Sequence, residues 1–223
     1  MVQPVHLLLN SNVGTPTDLW VPIMKQLPPE NSNQLSVGFA FDLAQNTKFS
    51  VDAYYKKMNN LLELRPYAII NFKSGNWPDF VFVGTGKAKG IEFQLAKSQG
   101  KYTFAFNYTL AQSVRTFNGI NQGKEFPFKY GSTHSASSLV TYKFNDNKSI
   151  SAAWVYNDGY YMSLPKEKYT LFYNGNEVTV VNNDKKNNFK SPAFHHLDIS
   201  YSSKKKKKRG IHEWNYGIYN VYN

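Results

Sequence analysis

Apolar and polar residues alternate over much of the chain, and this period of two predicts long β-strands. Between Tyr102 and Leu110, every second residue is Tyr, Phe or Leu, and the residues between them are Thr, Ala or Asn. Successive side chains of a strand point to opposite faces, so this segment should carry one apolar and one polar face. The same template predicts about nine strands, near residues 5–9, 33–43, 47–57, 88–97, 101–113, 134–144, 148–157, 197–201 and 214–218.

Short and long connections alternate between these predicted strands. The short ones lie at residues 44–46, 98–100, 145–147 and 204–209. The long ones, rich in Asn, Gly, Pro and aromatic residues, lie near 11–32, 58–86, 114–133 and 158–192. Loops longer than about 12–15 residues are uncommon in compact soluble domains. Antiparallel strands with short turns at one end and long loops at the other are typical of transmembrane β-barrels.

The polar face helps to decide between a lipid environment and a protein core, which alternation alone does not distinguish. This face is dominated by Ser, Thr, Asn, Asp, Glu, Gln and Gly, as expected for the wall of a wet or plugged lumen. The favoured fold is therefore all-β, an antiparallel up-and-down transmembrane barrel with short periplasmic turns and long extracellular loops. The alternative is a secreted or surface β-sandwich that binds carbohydrate or mediates adhesion.

Composition narrows the class of protein further. The 223 residues include 16 Phe and 16 Tyr but no Cys, which excludes a disordered tail, disulfides and cysteine metal sites. No stretch is long and apolar enough for a membrane helix, and no signal peptide is visible. Six positive charges of the net +11 fall at 204–209, a run without aromatic residues, so we expect no nucleic-acid partner. A solvated turn is the favoured interpretation of this run, with an anionic lipid or phosphate contact as the alternative.

Motifs for catalysis or cofactor binding are incomplete. Gly84 and Gly86 lack both the third glycine of a dinucleotide fingerprint and the Gly-Lys-Ser/Thr of a phosphate loop. His196 and Asp198 share a strand face, but two ligands do not complete a metal site. No Gly-x-Ser-x-Gly elbow occurs, and no pair of carboxylates is marked by its spacing. We therefore expect no enzyme activity, no metal and no cofactor.

Several blocks, in order along the chain, resemble the barrel of TonB-dependent outer-membrane receptors, in particular the group with a carboxypeptidase-regulatory-like N-terminal domain. They include GTPTDLWVP at 14–22, GTGKAKGIE at 84–92 and PAFHHLDIS at 192–200. Further blocks lie at 28–32, 54–60, 107–110, 120–127, 163–165 and 218–223. One departure is His196, where an Arg is usual in the family.

The resemblance implies that residues 1–223 form one partial barrel domain of about nine strands, a fragment of a barrel of about 22 strands, with the plug domain absent. It implies an outer-membrane location in a Gram-negative bacterium and contact with outer-membrane lipid. It also implies capture of an extracellular nutrient, such as a siderophore, a glycan or another small molecule. Passage through a plugged lumen would be driven by the TonB system through the missing plug. Because two sheet edges would stay open, we expect that the isolated chain does not insert as a closed barrel.

Candidate site residues follow from the predicted loops and faces. The aromatic residues of the long loops are candidates for stacking on a ligand: Trp20, Trp77, Phe126, Tyr160 and Tyr161. Polar residues expected to face the lumen are Asp52, Glu92, Asn107, His196 and Asp198. Aromatic residues near strand ends are candidates for the interfacial girdles of a membrane barrel: Tyr54, Tyr55, Tyr102, Trp154, Tyr201 and Trp214.

Overall fold

A computed structural model describes residues 5–9, 19–65, 76–173, 176–182, 185–208 and 210–222. Arg209, the last residue of the basic run, lies outside the described residues. The described strands are β1 (Val5–Leu9), β2 (Leu19–Pro22), β3 (Asn31–Ala44), β4 (Thr47–Leu64), β5 (Val81–Lys97), β6 (Tyr102–Thr116), β7 (Phe126–Pro127), β8 (His134–Asn145), β9 (Lys148–Asn157), β10 (Tyr161–Met162), β11 (Glu167–Tyr173), β12 (Asn176–Asn182), β13 (Phe189–Lys190), β14 (Phe194–Lys207) and β15 (Gly210–Ile218). Two single turns of 3-10 helix lie at Trp77–Phe80 and Asn121–Gly123, and no described helix is long and apolar enough to cross a membrane.

One large antiparallel sheet contains most of the long strands. Its order is β3, β4, β5, β6, β8, β9, β14, β15, so each long strand pairs with the next, and β7 pairs with the end of β6. The predicted all-β, up-and-down arrangement is confirmed. The predicted strand at residues 5–9 forms, but it pairs with β2 outside this sheet. The long segments also contain short pairs that the alternation did not predict, β10 with β13 and β11 with β12.

The two faces of the sheet differ as the alternation predicts. On one face, Phe39, Val51, Phe93 and Tyr108 stand opposite one another in a cross-strand row. We call this the outer face, and its large side chains are exposed, Phe39 by 60% and Phe93 by 38%. No described layer of protein covers it. A soluble sandwich would bury this face against a second sheet, so its exposure favours a lipid-facing wall.

The opposite face, called the inner face here, carries small and polar residues. Gly38, Asp52, Glu92 and Thr109 form a cross-strand row there. A side chain at Gly38 would meet the Asp52 carboxylate, because an added Cβ would lie 2.1 Å from its Oδ1 atom. The bare backbone of Gly38 therefore makes room for Asp52 to fold across the sheet.

Residues that stand opposite one another on neighbouring strands lie progressively farther from the short turns from one edge of the sheet to the other. One row begins at Ala44, beside the short turn after β3, passes through Phe104 and ends at Ile218. The row crosses from strand to strand seven times between β3 and β15. On β15 it reaches Ile218, which lies eight residues from Gly210, the residue at the short-turn end of that strand. With about 3.3 Å per residue and about 4.8 Å between strands, the strands tilt by about 40° relative to the plane of the short turns. Strands of membrane barrels tilt by about 35–45°.

The strands β4 and β5 extend beyond their predicted limits at the end of the long connections. The alternation breaks near Asn60, which has a left-handed backbone (φ 58) beside a register shift between Asn59 and Leu61. Beyond this bulge both faces are covered by protein. Leu62 packs in a cluster with Val21, Leu27 and Val81, whereas Leu61 packs in a cluster with Phe117, Ile120 and Phe126. Where both faces are apolar, apolar and polar residues no longer alternate. The strands predicted from the alternation are therefore shorter than β4 and β5.

The sheet does not close on itself in the described part of the chain. β3 and β15 form its two edges, and all fourteen residues of β3 are exposed. Unpaired strand edges expose a row of N–H and C=O groups that lipid does not solvate. The expectation that the isolated chain does not insert as a closed barrel stays a prediction. Heat-modifiable, protease-resistant insertion of the purified chain into liposomes would contradict it.

Candidate functional site

The connection between β6 and β8 folds over the inner face at the long-connection end of the sheet. Phe117, 1% exposed, and Phe126, 3% exposed, pack with Ile120 against Leu61. We call these four side chains the Phe117 cluster. The wall accommodates Phe117 because Gly84 has no side chain. An added Cβ at Gly84 would lie 2.3 Å from the Thr116 carbonyl oxygen and 2.4 Å from the Phe117 ring.

A polar junction joins this connection to the segment between β9 and β14. The buried Asn187 donates from its side-chain amide to the Pro127 carbonyl oxygen at 2.7 Å, and its backbone N–H donates to Ser163 Oγ at 2.9 Å. The Asn121 side chain accepts from the backbone N–H of Lys186 at 2.8 Å. Two long loops are therefore held in one arrangement by side-chain hydrogen bonds.

Glu63, at the end of β4, connects this junction to the wall. Its carboxylate accepts from the Lys186 ammonium at 2.5 Å, and its second oxygen lies 3.8 Å from the Arg115 guanidinium. The guanidinium carbon of Arg115 also lies 3.8 Å from the centre of the Phe128 ring. All three charged side chains are at least two-thirds buried, which makes their mutual attraction stronger than that of a fully exposed surface pair.

Asp158 joins the β6–β8 connection and the β9–β14 segment at a second place. Its side chain is 9% exposed and accepts from Lys190 Nζ at 2.5 Å, from Ser132 Oγ at 2.8 Å and from the Thr133 backbone N–H at 3.0 Å. Burial alone would raise the pKa of the Asp158 carboxyl. The hydrogen bonds from Lys190, Ser132 and the backbone at His134, with the Lys190 charge, outweigh burial and lower this pKa below its ordinary value of 3.8.

This lowered pKa predicts that acid loosens the loops around Asp158. The stabilisation is fully present above pH 3.8, the ordinary pKa, and it is lost as the pH falls through the lower pKa of the folded state. We expect faster exchange of the Ser191 amide, which donates to the Tyr160 carbonyl, as the pH falls below about 4. Hydrogen exchange, corrected for its intrinsic pH dependence, measures the effect.

In the variant Asp158→Asn, the Ser191 amide should exchange faster at neutral pH. The acid-dependent increase in its exchange rate should disappear. Asp146→Asn, in the exposed turn between β8 and β9, is the matched control and should behave like the unchanged chain. An acid-dependent increase that persists in Asp158→Asn would show that another group controls the loops.

A cavity of about 530 Å³ lies on the inner face between the wall and these loops. Its lining is mostly apolar and includes Tyr54, Gly90 and Ala111 from the wall and Gly131 and Tyr161 from the loops. The Tyr54 ring occupies the space above Gly90, where an added Cβ would lie 2.8 Å from the ring. Ser113, Ser132 and Thr133 contribute hydroxyl groups. Two tyrosines and a few hydroxyls suit the stacking and hydrogen bonding of a ring-bearing molecule.

The five candidate aromatic residues of the loops lie in different environments. Tyr161 lines the cavity, and Tyr160 and Trp20 are about half exposed. Phe126 is instead buried in the Phe117 cluster, and Trp77 packs against the cluster around Val21. Burial of Phe126 leaves its ring little surface for a ligand. Whether the other rings contact a ligand stays a prediction.

Tyr54 is a cavity residue that sequence reasoning placed elsewhere. It was a candidate for an interfacial girdle, but it lies on the inner face, two residues from Asp52 on the same strand. The alternation of β4 already contained this signal, because Tyr54 shares the parity of Asp52. Tyr55, the next residue, is 47% exposed and has outer-face parity.

The candidate lumen residues form two separate groups on the inner face. Asp52 stands directly opposite Glu92, and Asn107 donates to Ser137 Oγ at 3.2 Å in the neighbouring row. These three line a small recess of about 150 Å³. His196 and Asp198 also lie on the inner face, but on β14, near the opposite edge of the sheet. The Nε2 atom of His196 and the Oδ2 atom of Asp198 are 3.3 Å apart. The described part of the chain contains no group of three or more His, Asp or Glu residues that could hold a metal ion.

Comparison with known proteins places this architecture in a family. None of the curated proteins searched matches the chain at a significant level. The model of the family described as TonB dependent receptor-like, beta-barrel matches residues 9–223. This match confirms the resemblance found in the ordered sequence blocks, and the family is one of outer-membrane receptors and transporters rather than of enzymes. The chain, whose tilted sheet has one apolar and one polar face, is therefore a member of the TonB-dependent receptor-like β-barrel family.

Proposed function

We propose that this chain forms wall and loops of an outer-membrane receptor that captures an extracellular nutrient and passes it through a plugged barrel. The observation that carries the proposal is the combination of an exposed apolar outer face with loops that are held over a polar inner face. Lipid covers the apolar face, and the loops collect the ligand on the aqueous side. Energy reaches the lumen from TonB through a plug domain.

On β5, the lipid-covered band is bounded by a charged residue at each end. On the outer face of β5, Ile91, Phe93 and Leu95 lie between Lys89 and Lys97. These two lysines are eight residues apart, which is about 20 Å along the membrane normal at a tilt of about 40°. The apolar band of outer-membrane barrels is about 25 Å tall. The short turns then lie on the periplasmic side and the long connections outside the cell.

The cavity beneath the loops is the proposed ligand subsite. Its volume of about 530 Å³ falls within the range of about 300–1,000 Å³ that small-molecule sites occupy. Tyr54 and Tyr161 provide ring surfaces, and the nearby hydroxyls provide polar partners. A sugar or an aromatic chelator has this combination of ring faces and polar edges. Ligand that enters here is already on the lumen side of the wall.

Single-cysteine labelling tests the proposed orientation. Because the chain contains no Cys, each variant carries one thiol in this chain. Tyr130→Cys places a thiol in a long connection at a side chain that is 55% exposed, and Gln99→Cys places one in an exposed short turn. In intact cells that carry the chain as part of a complete barrel, a membrane-impermeant maleimide should label the Tyr130→Cys protein only. Gln99→Cys should become labelled after the outer membrane is permeabilised. Labelling of Gln99→Cys in intact cells would overturn the orientation.

A further inference from the structure

The hairpin between β14 and β15 ends in a basic tip, which we define as Lys204–Lys208. All five side chains are exposed. The last contact of this hairpin with its neighbour is the Lys204 backbone N–H, which donates to the Asn147 carbonyl oxygen at 2.7 Å. Beyond that point Lys205, Lys206 and Lys207 pair only with β15. Along the strand direction, the tip therefore extends beyond the last residue that pairs with β9.

Most of the charge on the basic tip is uncompensated. Lys204 lies 3.4 Å from Glu213, directly across the hairpin. Within the described residues, Lys205 to Lys208 form no ion pair, and the sequence continues with Arg209. The other short turns, at 44–46, 98–100 and 145–147, contain one charged residue between them, Asp146. Positive charge is thus densest at one of the four neighbouring turns.

Aromatic residues lie directly above these lysines on the outer face. Tyr201 pairs with Tyr216, and Ser203 pairs with Trp214. The next outer-face pair is Lys205 with His212, followed by Lys207 with Gly210. Successive pairs on one face are about 6.7 Å apart along a strand. The outer face therefore changes from Tyr and Trp to Lys within one or two such steps.

This order matches the chemistry of a bilayer interface. Tyr and Trp lie at the boundary between hydrocarbon and headgroups, and Lys side chains extend from there towards the phosphates. Clusters of Lys next to a membrane attract anionic lipids. The basic tip contains no aromatic side chain on which a base could stack, which disfavours single-stranded nucleic acid.

We propose that the basic tip, with Trp214 and Tyr216 above it, is a docking surface for anionic phospholipid headgroups of the periplasmic leaflet. This inference rests on the orientation given under the proposed function. Lys205 and Lys207 contact headgroups of lipids packed against the outer face, and Lys206 and Lys208 add to the local potential. The surface holds this edge of the wall at a defined depth in the membrane.

Trp214 provides the reporter for a test on the whole purified chain in mixed lipid–detergent micelles. Trp20, Trp77 and Trp154 are replaced by Phe, which leaves Trp214 as the single tryptophan of the four in the sequence. Its fluorescence is quenched with brominated phosphatidylglycerol or with brominated phosphatidylcholine at equal mole fractions. We expect half-maximal quenching at a several-fold lower fraction of the anionic lipid. The preference should disappear at about 1 M salt, where the Debye length is about 3 Å.

Two variants with the same change in net charge locate the effect. In the first, Lys205, Lys206, Lys207 and Lys208 are each replaced by Gln, and the preference for the anionic lipid should fall to nearly none. In the matched control, Lys48, Lys97, Lys101 and Lys148, which flank the other short turns, are replaced by Gln. The control should keep most of the preference, because its charges are spread over three turns.

The outcomes separate this inference from the proposed function. If neither lipid quenches Trp214, the outer face does not contact lipid and the proposed membrane wall fails with the inference. If both lipids quench equally, the wall stands and the headgroup surface is wrong. Loss of the preference when inorganic phosphate replaces chloride at constant ionic strength would assign the lysines to free phosphate, and equal quenching with retention of a labelled oligonucleotide would assign them to nucleic acid. Either result overturns the proposal.

Discussion

Replacement of Phe117 by Ala is expected to destabilise the loops over the inner face by about 3–5 kcal/mol, the usual cost for a buried Phe. Phe117 is 1% exposed and contacts both the wall at Gly84 and the neighbouring Phe126, whose ring centre is 6.1 Å away. Its removal would leave a cavity among Leu61, Ile120 and Phe126. Hydrogen exchange of the Ile120 amide, which donates to the Phe117 carbonyl oxygen, measures the free energy of opening.

The same substitution at Phe172 is the matched control. This side chain is 77% exposed in β11, so Phe172→Ala should change the free energy of opening by less than about 0.5 kcal/mol. The loops that open in Phe117→Ala also form one side of the cavity, so binding of any ligand there should weaken in parallel. Equal effects of the two substitutions would show that the Phe117 cluster does not hold the loops.

Replacement of Phe93 by Arg is expected to destabilise the sheet by about 2–4 kcal/mol, the cost of a cation near the middle of the lipid-facing band of a barrel. Phe93 lies at the centre of the apolar run between Lys89 and Lys97. A cation there must either lose its hydration or distort the surrounding lipid. Denaturant titration of the purified chain in mixed lipid–detergent micelles gives the free energy of unfolding.

The neighbouring residue supplies the control for this prediction. Gln94 lies on the inner face, opposite Asn107, and two residues from Glu92. Gln94→Arg adds the same charge to the same strand in a polar environment, so we expect a change of less than about 1 kcal/mol. If Gln94→Arg proves the more damaging substitution, the apolar face looks inwards and the chain is a soluble barrel or sandwich.

The faces of the long strands could be predicted almost completely from the sequence. Phe39, Phe93 and Asp52 lie on the predicted sides because the direction of a side chain in a strand depends only on its parity. The alternation also predicted the hairpins, since each short turn joins two neighbouring strands of the sheet. It failed beyond Asn60, where a register shift resets the parity and protein covers both faces.

The loops could not be predicted in this way. The sequence makes Phe126 a candidate for stacking on a ligand, yet its side chain is buried in the Phe117 cluster. Nothing local marks it, because its burial depends on Leu61, a residue more than sixty positions away. The sequence does not distinguish Tyr161 from the other loop aromatic residues, and the cavity that it lines exists because β4, β5 and β6 meet the loops there.

The all-β class, the two faces of the wall, the alternation of turns and loops, and the family follow from the sequence alone, because each depends on the local order of residues. The burial of particular loop residues, the position of the cavity and the attachment of the loops depend instead on tertiary contacts. Those features rest on pairs such as Glu63 and Lys186, which are 123 positions apart. Contacts at such separations follow from strand register and stagger, and no period along the chain specifies which distant side chains they bring together.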